Sequence, residues 1–509
     1  MARKILSFIE LYMKFVIKLF PEITIKSKPV RQRFVRQLRQ NISEVLKREY
    51  EHIAVQGFWD KIEVSLKSSH PTGESEELTQ QIAATLQRIP GIANILRVQK
   101  YTIENINEGF DEIAELTQKT LGDRILDKTF VVRVKRVGTH NFKSTDLERF
   151  LGGALLQQNQ TKGVELHNPD VTVKLELRHS ELYIVEQRFE GLGGYPLGTL
   201  DDVLSLISGG FDSTVSSYLT MKRGLKTHFC FFNLGGSAHE IGVKQVAQYL
   251  WQKYGVSHRV KFVTVPFEGV VAEILTSVHH SQMGVVLKRM MLRAATAVAD
   301  EMGIQALVKG DSVAQVSSQT LTNLVVVDSV TETLVLRPLI TMDKLDIIRL
   351  SAQIGTEEFA KNMPEYCGVI SDKPTTSAKK ERILEEESKF DFSVLDKAIE
   401  DRIITKIDQV MTKIKTAAEI DLVSVPNVDD IIIDIRHPDE REKKPLMLTN
   451  NKIEIIAFYE LMSKIEQLES TNTYLLYCDK GTMSQLHASH LKGLGYENIA
   501  VYAPSHDTA

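Results

Sequence analysis

Between Ser205 and Leu219 the chain reads SLISGGFDSTVSSYL, and no other stretch restricts its fold as much. It is a short apolar strand, a Gly-Gly turn and the opening of an amphipathic helix. Gly209 and Gly210 permit positive φ and let another group come close to the backbone. The first N–H groups of a helix have no partner inside it, and the helix dipole favours an anion there. The geometry therefore suits a phosphate. A Walker loop requires G-x-x-x-x-G-K-[ST], and here no Lys follows the glycines. Ser208, Asp212, Ser213 and Thr214 supply hydroxyls and one carboxylate instead, which makes sense beside phosphates if Mg2+ sits between them. The plainer reading is a helix capped by Asp212 or Ser213 after a glycine turn. The hexapeptide alone leaves both readings open.

Its surroundings narrow the choice. Residues 199–370 alternate strand and helix, with strands expected near 203–207, 227–233, 260–265 and 306–309. That alternation argues a doubly wound, mostly parallel sheet, whose ligands sit at the carboxyl ends of strands. KGDSVAQVSSQT, from Lys309, is a second polar loop at such an end. A chain of 509 residues holds three or four domains at roughly 150 residues each. Residues 13–80 open on an alternating strand. Val30, Phe34, Val35 and Leu38 then recur at helical spacing, while Lys26, Lys28, Arg31, Arg33, Arg36 and Arg39 fall in a stretch without an acid. A helix face of one sign points to an anionic partner. Residues 80–190 read as a small α+β domain, in which KTFVVRVKRV turns Phe130, Val132 and Val134 to one side and stands Arg133, Lys135 and Arg136 toward the other side or the strand end. FEGLGGYPLG reads as a linker. The Lys- and Glu-rich stretch 371–425 reads as a helical connector, and residues 426–509 as another compact α/β unit.

The net charge of −4 neither favours nor excludes nucleic acid, since local patches hide in a balanced total. Three cysteines are no disulfide scaffold and suggest a reducing compartment. No apolar run reaches the 18 or so residues of a membrane helix. MARKILSFIELYMKFVIKLF has a faint likeness to a signal peptide, but Glu10, Lys14 and Lys18 interrupt it and no cleavage site follows. Residues 1–12 read as an upstream extension, and the expected location is cytoplasmic. Cys478 follows the apolar strand Tyr474–Tyr477 and opens CDKGTMS before a helix. Backbone N–H groups and a helix N-terminus there favour a thiolate or a persulfide. A tyrosine-phosphatase loop would need C-x5-R; the sixth residue after Cys478 is Ser484, which disfavours that chemistry. Cys367, in MPEYCGVIS, reads as a loop thiol, and Cys230, in HFCFFNL, as core of a central strand.

SGGFDS after an apolar strand resembles the PP-loop ATP pyrophosphatase signature. With HFCFFNLGG, KGDSVAQVSSQT, LRPLITMDK and MPEYCGVIS, the chain from Met13 onward is similar to the tRNA uridine 4-sulfurtransferase family, which is also named for thiamine biosynthesis. The resemblance implies an α/β multidomain fold. Its parts are a ferredoxin-like domain at 1–80, a THUMP RNA-binding domain at 81–190, a doubly wound PP-loop domain at 191–371, a charged helical connector at 372–425 and a rhodanese-like domain at 426–509. It also implies adenylation of O4 of the uridine at position eight of tRNA, then displacement of AMP by sulfur to give 4-thiouridine. The sulfur would arrive as a persulfide on Cys478, with Cys367 as the partner of a transient disulfide. Asp212 resembles the essential acid of the loop and Lys344 a positive group at the reacting centre. Leu206, Ile207, Ser208, Gly209, Gly210, Ser213, His228, Phe229, Lys288, Gly310 and Gln319 match ATP contacts. The implied cofactors are ATP and Mg2+, with no protein-bound metal centre. The implied partners are tRNA, a cysteine desulfurase, the sulfur carrier of thiazole synthesis and a thiol reductant, with no membrane. Two rivals stand beside this reading. A PP-loop synthetase fed with ammonia needs a glutaminase partner, and the rhodanese-like tail argues for sulfur. A tRNA-binding protein with idle catalytic parts is disfavoured by intact Ser208–Ser213 and Cys478.

Overall fold

The computed structural model describes residues 12–67, 76–234, 237–361, 363, 374–411, 420–436, 438–447, 450–458, 460–469, 471–479 and 481–504. The chain divides into two compact units, Met1–Leu200 with Lys222–Gly224, and Asp201–Met221 with Leu225–Ala509.

The first unit is built on one mixed sheet of eight strands: β1 (Tyr12–Leu19), β2 (Ile53–Gly57), β3 (Lys61–Lys67), β4 (Ile92–Thr102), β5 (Thr129–Val137), β6 (Gly163–Val164), β7 (Val171–Arg178) and β8 (Glu181–Glu190), in the order β2-β3-β1-β4-β8-β7-β5-β6. Two cores share it. Phe34, Val35 and Leu38 of the helix Lys28–Leu46 pack with Ile82, Ala83 and Leu86 of the helix Glu76–Leu86 on β1 and β4. Ile113, Leu147 and Leu151 pack with Phe130, Val132, Leu175 and Leu182 in the other. Expected 3.6-residue and two-residue periodicities thus bury the side chains they promised. The division expected at residue 80 falls inside the first core, because β4 pairs antiparallel with β1 from Phe15 opposite Arg97 to Leu19 opposite Ile92. β4 also pairs with β8, so the sheet runs unbroken across that division. The expected linker is part of this unit too: Gly191 and Gly193 donate to the carbonyls of Ala93 and Ile92, and Tyr195 is buried against the first core.

The second unit carries two sheets. In the first, β9 (Asp202–Leu206), β10 (Lys226–Asn233), β11 (Lys261–Pro266), β12 (Ala306–Val308), β13 (Leu334–Leu336) and β14 (Ile403–Lys406) run in the order β13-β12-β9-β10-β11-β14. All neighbours are parallel except β11 and β14. The stretch expected as a helical connector therefore supplies an edge strand, and Ile383, Leu395 and Ala398 of its two helices enter the same core. Their apolar spacing seats them on the sheet despite the dense charge. The last sheet is wholly parallel: β15 (Leu422–Val423), β16 (Ile431–Asp434), β17 (Ile453–Ile455), β18 (Tyr474–Tyr477) and β19 (Ile499–Tyr502), in the order β15-β19-β18-β16-β17. Four consecutive buried residues in β16, β18 and β19 are what a strand covered on both faces requires.

Candidate active site

β9 leaves the centre of its sheet with β10 on one side and β12 on the other. The crevice at such a switch point is where open α/β sheets bind ligands. Ser208 to Gly210 turn here into the helix Phe211–Arg223. Gly209 has φ 84°, and a Cβ on it would run into the Met363 methyl. The Ser208 N–H donates to Ser213 Oγ at 3.1 Å, and Ser213 Oγ donates to the Gly210 carbonyl at 3.2 Å. Thr214, expected among the phosphate-facing hydroxyls, is fully buried, and its Oγ1 has no hydrogen-bond partner among the described residues.

The loop after β12 lies directly on this turn. A Cβ on Gly310 would stand 2.6 Å from the Asp212 carbonyl carbon and 2.7 Å from the Ser213 nitrogen, so only glycine permits the approach. Asp212 accepts from Gln315 Nε2 at 2.7 Å and from Lys344 Nζ at 2.8 and 3.0 Å. Asp311, 4% exposed, is ringed by Lys309 at 3.0 Å, Arg337 at 3.1 Å, Lys288 at 3.6 Å and Gln319 at 3.3 Å. Burial alone would raise its carboxyl; Lys309 first, then Lys288 and Arg337, hold it far below the carboxylate range. Arg337 also grips Asp328 through two bonds of 2.8 and 2.6 Å. Lys288, Lys309, Arg337 and Lys344 thus stand against Asp212, Asp311 and Asp328, and the surplus is positive. Buried Gln315 Oε1 and Gln319 Oε1 have no hydrogen-bond partner among the described residues.

Asp212, Ser213, Gly310, Gln319, Lys288 and Lys344 come together as expected, with Leu206 and Ile207 closing the strand end. His228 and Phe229 do not. They lie in the amino-terminal half of β10, opposite Leu204 and Ser205. The His228 ring is held by Asp202 at 3.2 Å and accepts the Lys261 N–H at 2.9 Å, and Phe229 is core. Parallel pairing fixes this, since the loop forms only after both strands have run on toward their carboxyl ends. Sequence reading missed Lys309, Asp311, Gln315 and Arg337, although the first three lie in KGDSVAQVSSQT and the last in LRPLITMDK, both stretches already singled out. It also missed His239, whose Nε2 lies 3.0 Å from the Ser208 carbonyl. Burial, partly offset by that contact, lowers the His239 pKa.

In the last sheet Cys478 follows β18 and is buried. The Ser484 N–H donates to its sulfur at 3.3 Å, with Ser484 Oγ at 3.4 Å. Ser484 thus fills the sixth position after the cysteine, at the start of the helix Thr482–Gly493. Arg436, 2% exposed, is bound to Asp434 and reaches Asp479, next to Cys478, at 2.8 Å. Cys230 is fully buried in the core, where burial raises its thiol to about 12. Cys367 lies outside the described residues.

On the first unit Arg33 and Arg36 are exposed on the helix Lys28–Leu46. Arg31 is half-buried and donates to the Thr24 carbonyl at 3.2 Å. Arg133 and Lys135 are exposed and line a cavity of about 410 Å3 with Lys18, Lys174 and Arg188, three cations that sequence reading did not assign to an RNA-facing surface. Arg136 is half-buried, bound to the His140 carbonyl and packed on Phe142. No helix among the described residues is long and apolar enough to cross a membrane.

Comparison with known proteins gives a consistent set of likenesses. Residues 198–392 match the family described as thiamine biosynthesis protein (ThiI), residues 107–185 the THUMP domain and residues 14–96 the ThiI ferredoxin-like domain. Over 493 residues the chain is 52% identical to the tRNA sulfurtransferase of Marinobacter nauticus and 53% to that of Shewanella piezotolerans. Each match covers 97% of this chain and all of the relative. The fold is similar to that of a 4-thiouridine synthetase solved in complex with RNA and bound ATP, with TM-score 0.66 and 24% identity, over 77% of this chain and 99% of that one. It is also similar to PH1313 of Pyrococcus horikoshii, with TM-score 0.51 and 19% identity, over 67% and 100%.

Proposed function

The chain belongs to the tRNA sulfurtransferase family, and from that premise we propose that it uses ATP to replace O4 of a tRNA uridine, the one at position eight, by sulfur. The observation that carries this reading is the pair of strand-to-helix loops in the second unit, one ringed by cations and one closed on Cys478. A uridine O4 is a poor leaving group, whereas AMP is a good one. O4 attacks the α-phosphate of ATP and pyrophosphate departs. In this reading the backbone of Ser208–Gly210, the helix N-terminus and Lys344 hold the charge that develops there. Lys288, Lys309 and Arg337, oriented by Asp311, face the outer phosphates. The 4-thiouridine synthetase solved with RNA and ATP supports ATP as the nucleotide.

Mg2+ held by one carboxylate and substrate phosphates suits the donor set, since the Asp212 carboxylate is 23% exposed while Asp311 is buried among cations. Asp212 is the residue that would hold it, and the ion would neutralise phosphate charge.

In the sulfur half-reaction, a cysteine desulfurase loads Cys478 as a persulfide. The terminal sulfur attacks C4 and AMP leaves. The Cys367 thiolate then attacks the Cys478 sulfur, releasing 4-thiouridine and leaving a Cys367–Cys478 disulfide that a thiol reductant reopens. The Ser484 N–H supports the anionic sulfur. The thiamine name of the matching family supports a second outlet, to the sulfur carrier of thiazole synthesis. The rhodanese-like character of the last sheet rests on Cys478 and its loop. The exposed cations of the first unit bind tRNA through its phosphates. The test is mass spectrometry of nucleosides from tRNA incubated with the protein, ATP, Mg2+ and a persulfide source. The expected product is 4-thiouridine, with tRNA-dependent pyrophosphate release. Pyrophosphate without thiolation, or product from ammonia alone, would refute the reading.

A further inference from the structure

One face of the helix Ser237–Leu250 touches both the nucleotide loop and the helix that follows Cys478. His239 meets the Ser208 carbonyl at 3.0 Å. A Cβ on Gly242, three residues on, would stand 3.0 Å from the methyl of Met363, the side chain that covers Gly209. Gln245, three further, donates Nε2 to His487 Nε2 at 2.7 Å. The Tyr249 ring lies 5.2 Å from that of Phe359. Positions at this spacing share one side of a helix.

His487 belongs to the helix Thr482–Gly493, one turn beyond Ser484, whose N–H meets the Cys478 sulfur. Gln245 and His487 are 4% and 6% exposed, so their bond is made away from water. An aromatic wall shields it: Phe359 to Phe458 at 5.1 Å and Phe458 to His487 at 6.2 Å. A buried polar pair adds little net affinity, but it fixes register, because each alternative seating strands a desolvated group.

We propose that Gln245 and His487 are positioning residues for sulfur transfer, seating the Cys478 helix on the helix that braces the nucleotide loop. The inference rests on the sulfur-transfer reading above. Neither side chain touches substrate. Their effect is on the geometry of delivery, where small misplacements are costly.

The experiment uses the full chain with Cys478 preloaded as persulfide and tRNA adenylated in place. Single-turnover transfer is measured for Gln245→Ala, His487→Ala, the double variant, and the exchange Gln245→His with His487→Gln. Each single change should slow transfer about tenfold, the effect of losing one buried hydrogen bond. The double should be no slower than either single, and the exchange should recover most of the rate. Pyrophosphate release and Cys478 loading should stay at wild-type values in all four, which a general loss of folding would not allow. Transfer at the wild-type rate in the single variants overturns the proposal, as do additive losses, or an exchanged protein that loads normally yet stays slow. A wild-type protein that makes no 4-thiouridine refutes the functional reading itself, and the pair's role with it. An active wild type with unimpaired variants refutes only the pair.

Discussion

In both strand-to-helix loops of the second unit, a glycine at positive φ precedes a serine that returns its hydroxyl to a glycine carbonyl. Gly209 has φ 84°, and Ser213 reaches Gly210 at 3.2 Å; Gly481 has φ 69°, and Ser484 reaches Gly481 at 3.0 Å. Their charge separates them. Lys288, Lys309, Arg337 and Lys344 surround the first. Beside the second, Arg436 is already bound to Asp434 and Asp479. One loop turn can hold a polyanion or a single sulfur, according to which cations neighbouring strands leave available. On the proposed reading, the first needs surplus positive charge for triphosphate. The second needs one directed N–H and little more.

The comparison breaks most sharply at Cys478. Cys478→Ser should reduce thiolation from a desulfurase to background while tRNA-dependent pyrophosphate release continues. If both half-reactions fail, the loops are not separate sites. The reciprocal change, Lys344→Ala, should cut pyrophosphate release on the order of a hundredfold, the usual cost of losing one charge-stabilising group. Persulfide loading of Cys478, read by mass spectrometry, should be unaffected, and an equal loss of loading would erase the contrast.

A smaller effect tests whether the basic face of the first unit is a further site or only solvated surface. Arg33→Glu and Arg36→Glu should weaken tRNA binding and lower the slope of log affinity against log salt by about 1 for each phosphate no longer neutralised. Arg31→Glu should do less to that slope, because its guanidinium already serves the Thr24 carbonyl. Filter binding across a salt series decides between them.

The smallest effect is on pH. Burial lowers the His239 pKa below its ordinary 6.5. As pH falls below that value the unfolded chain takes up a proton that the folded chain refuses. The stability present above 6.5 is therefore lost as pH falls through the lower folded value. His239→Gln, which can still donate to Ser208, should flatten the acid side of the melting curve by roughly 2 °C. An unchanged acid slope would show that His239 is not the titrating brace of the nucleotide loop.

The strand–turn–helix form of Ser208–Ser213 and of the Cys478 loop was legible in the sequence because a strand, a turn and a helix N-terminus are local events. Glycine freedom, apolar runs and orphan N–H groups lie within a few residues of one another. For the same reason the strands expected near 203–207 and 227–233 fall where β9 and β10 run. His228 and Phe229 show the opposite case. Their motif is adjacent to the right strand, but parallel register turns them toward its amino half and the core. The stretch 372–425 reads as a charged helical connector because Lys and Glu crowd its first half. Its apolar side chains, and the pairing of Ile403–Lys406 with β11, place much of it on the sheet.

By itself, then, the sequence determined which loops could bear chemistry, since those loops are made from neighbours along the chain. Tertiary structure decided what surrounds them. Arg337 meets Asp311 across 26 positions, Lys344 meets Asp212 across 132, and Gln245 meets His487 across 242. No local pattern encodes such pairs. The first two exist because parallel strands bring distant carboxyl ends to one edge of a sheet, where burial makes a charge without a partner too costly to keep; the third exists because two helices remote in sequence pack together and must satisfy the polar groups they bury.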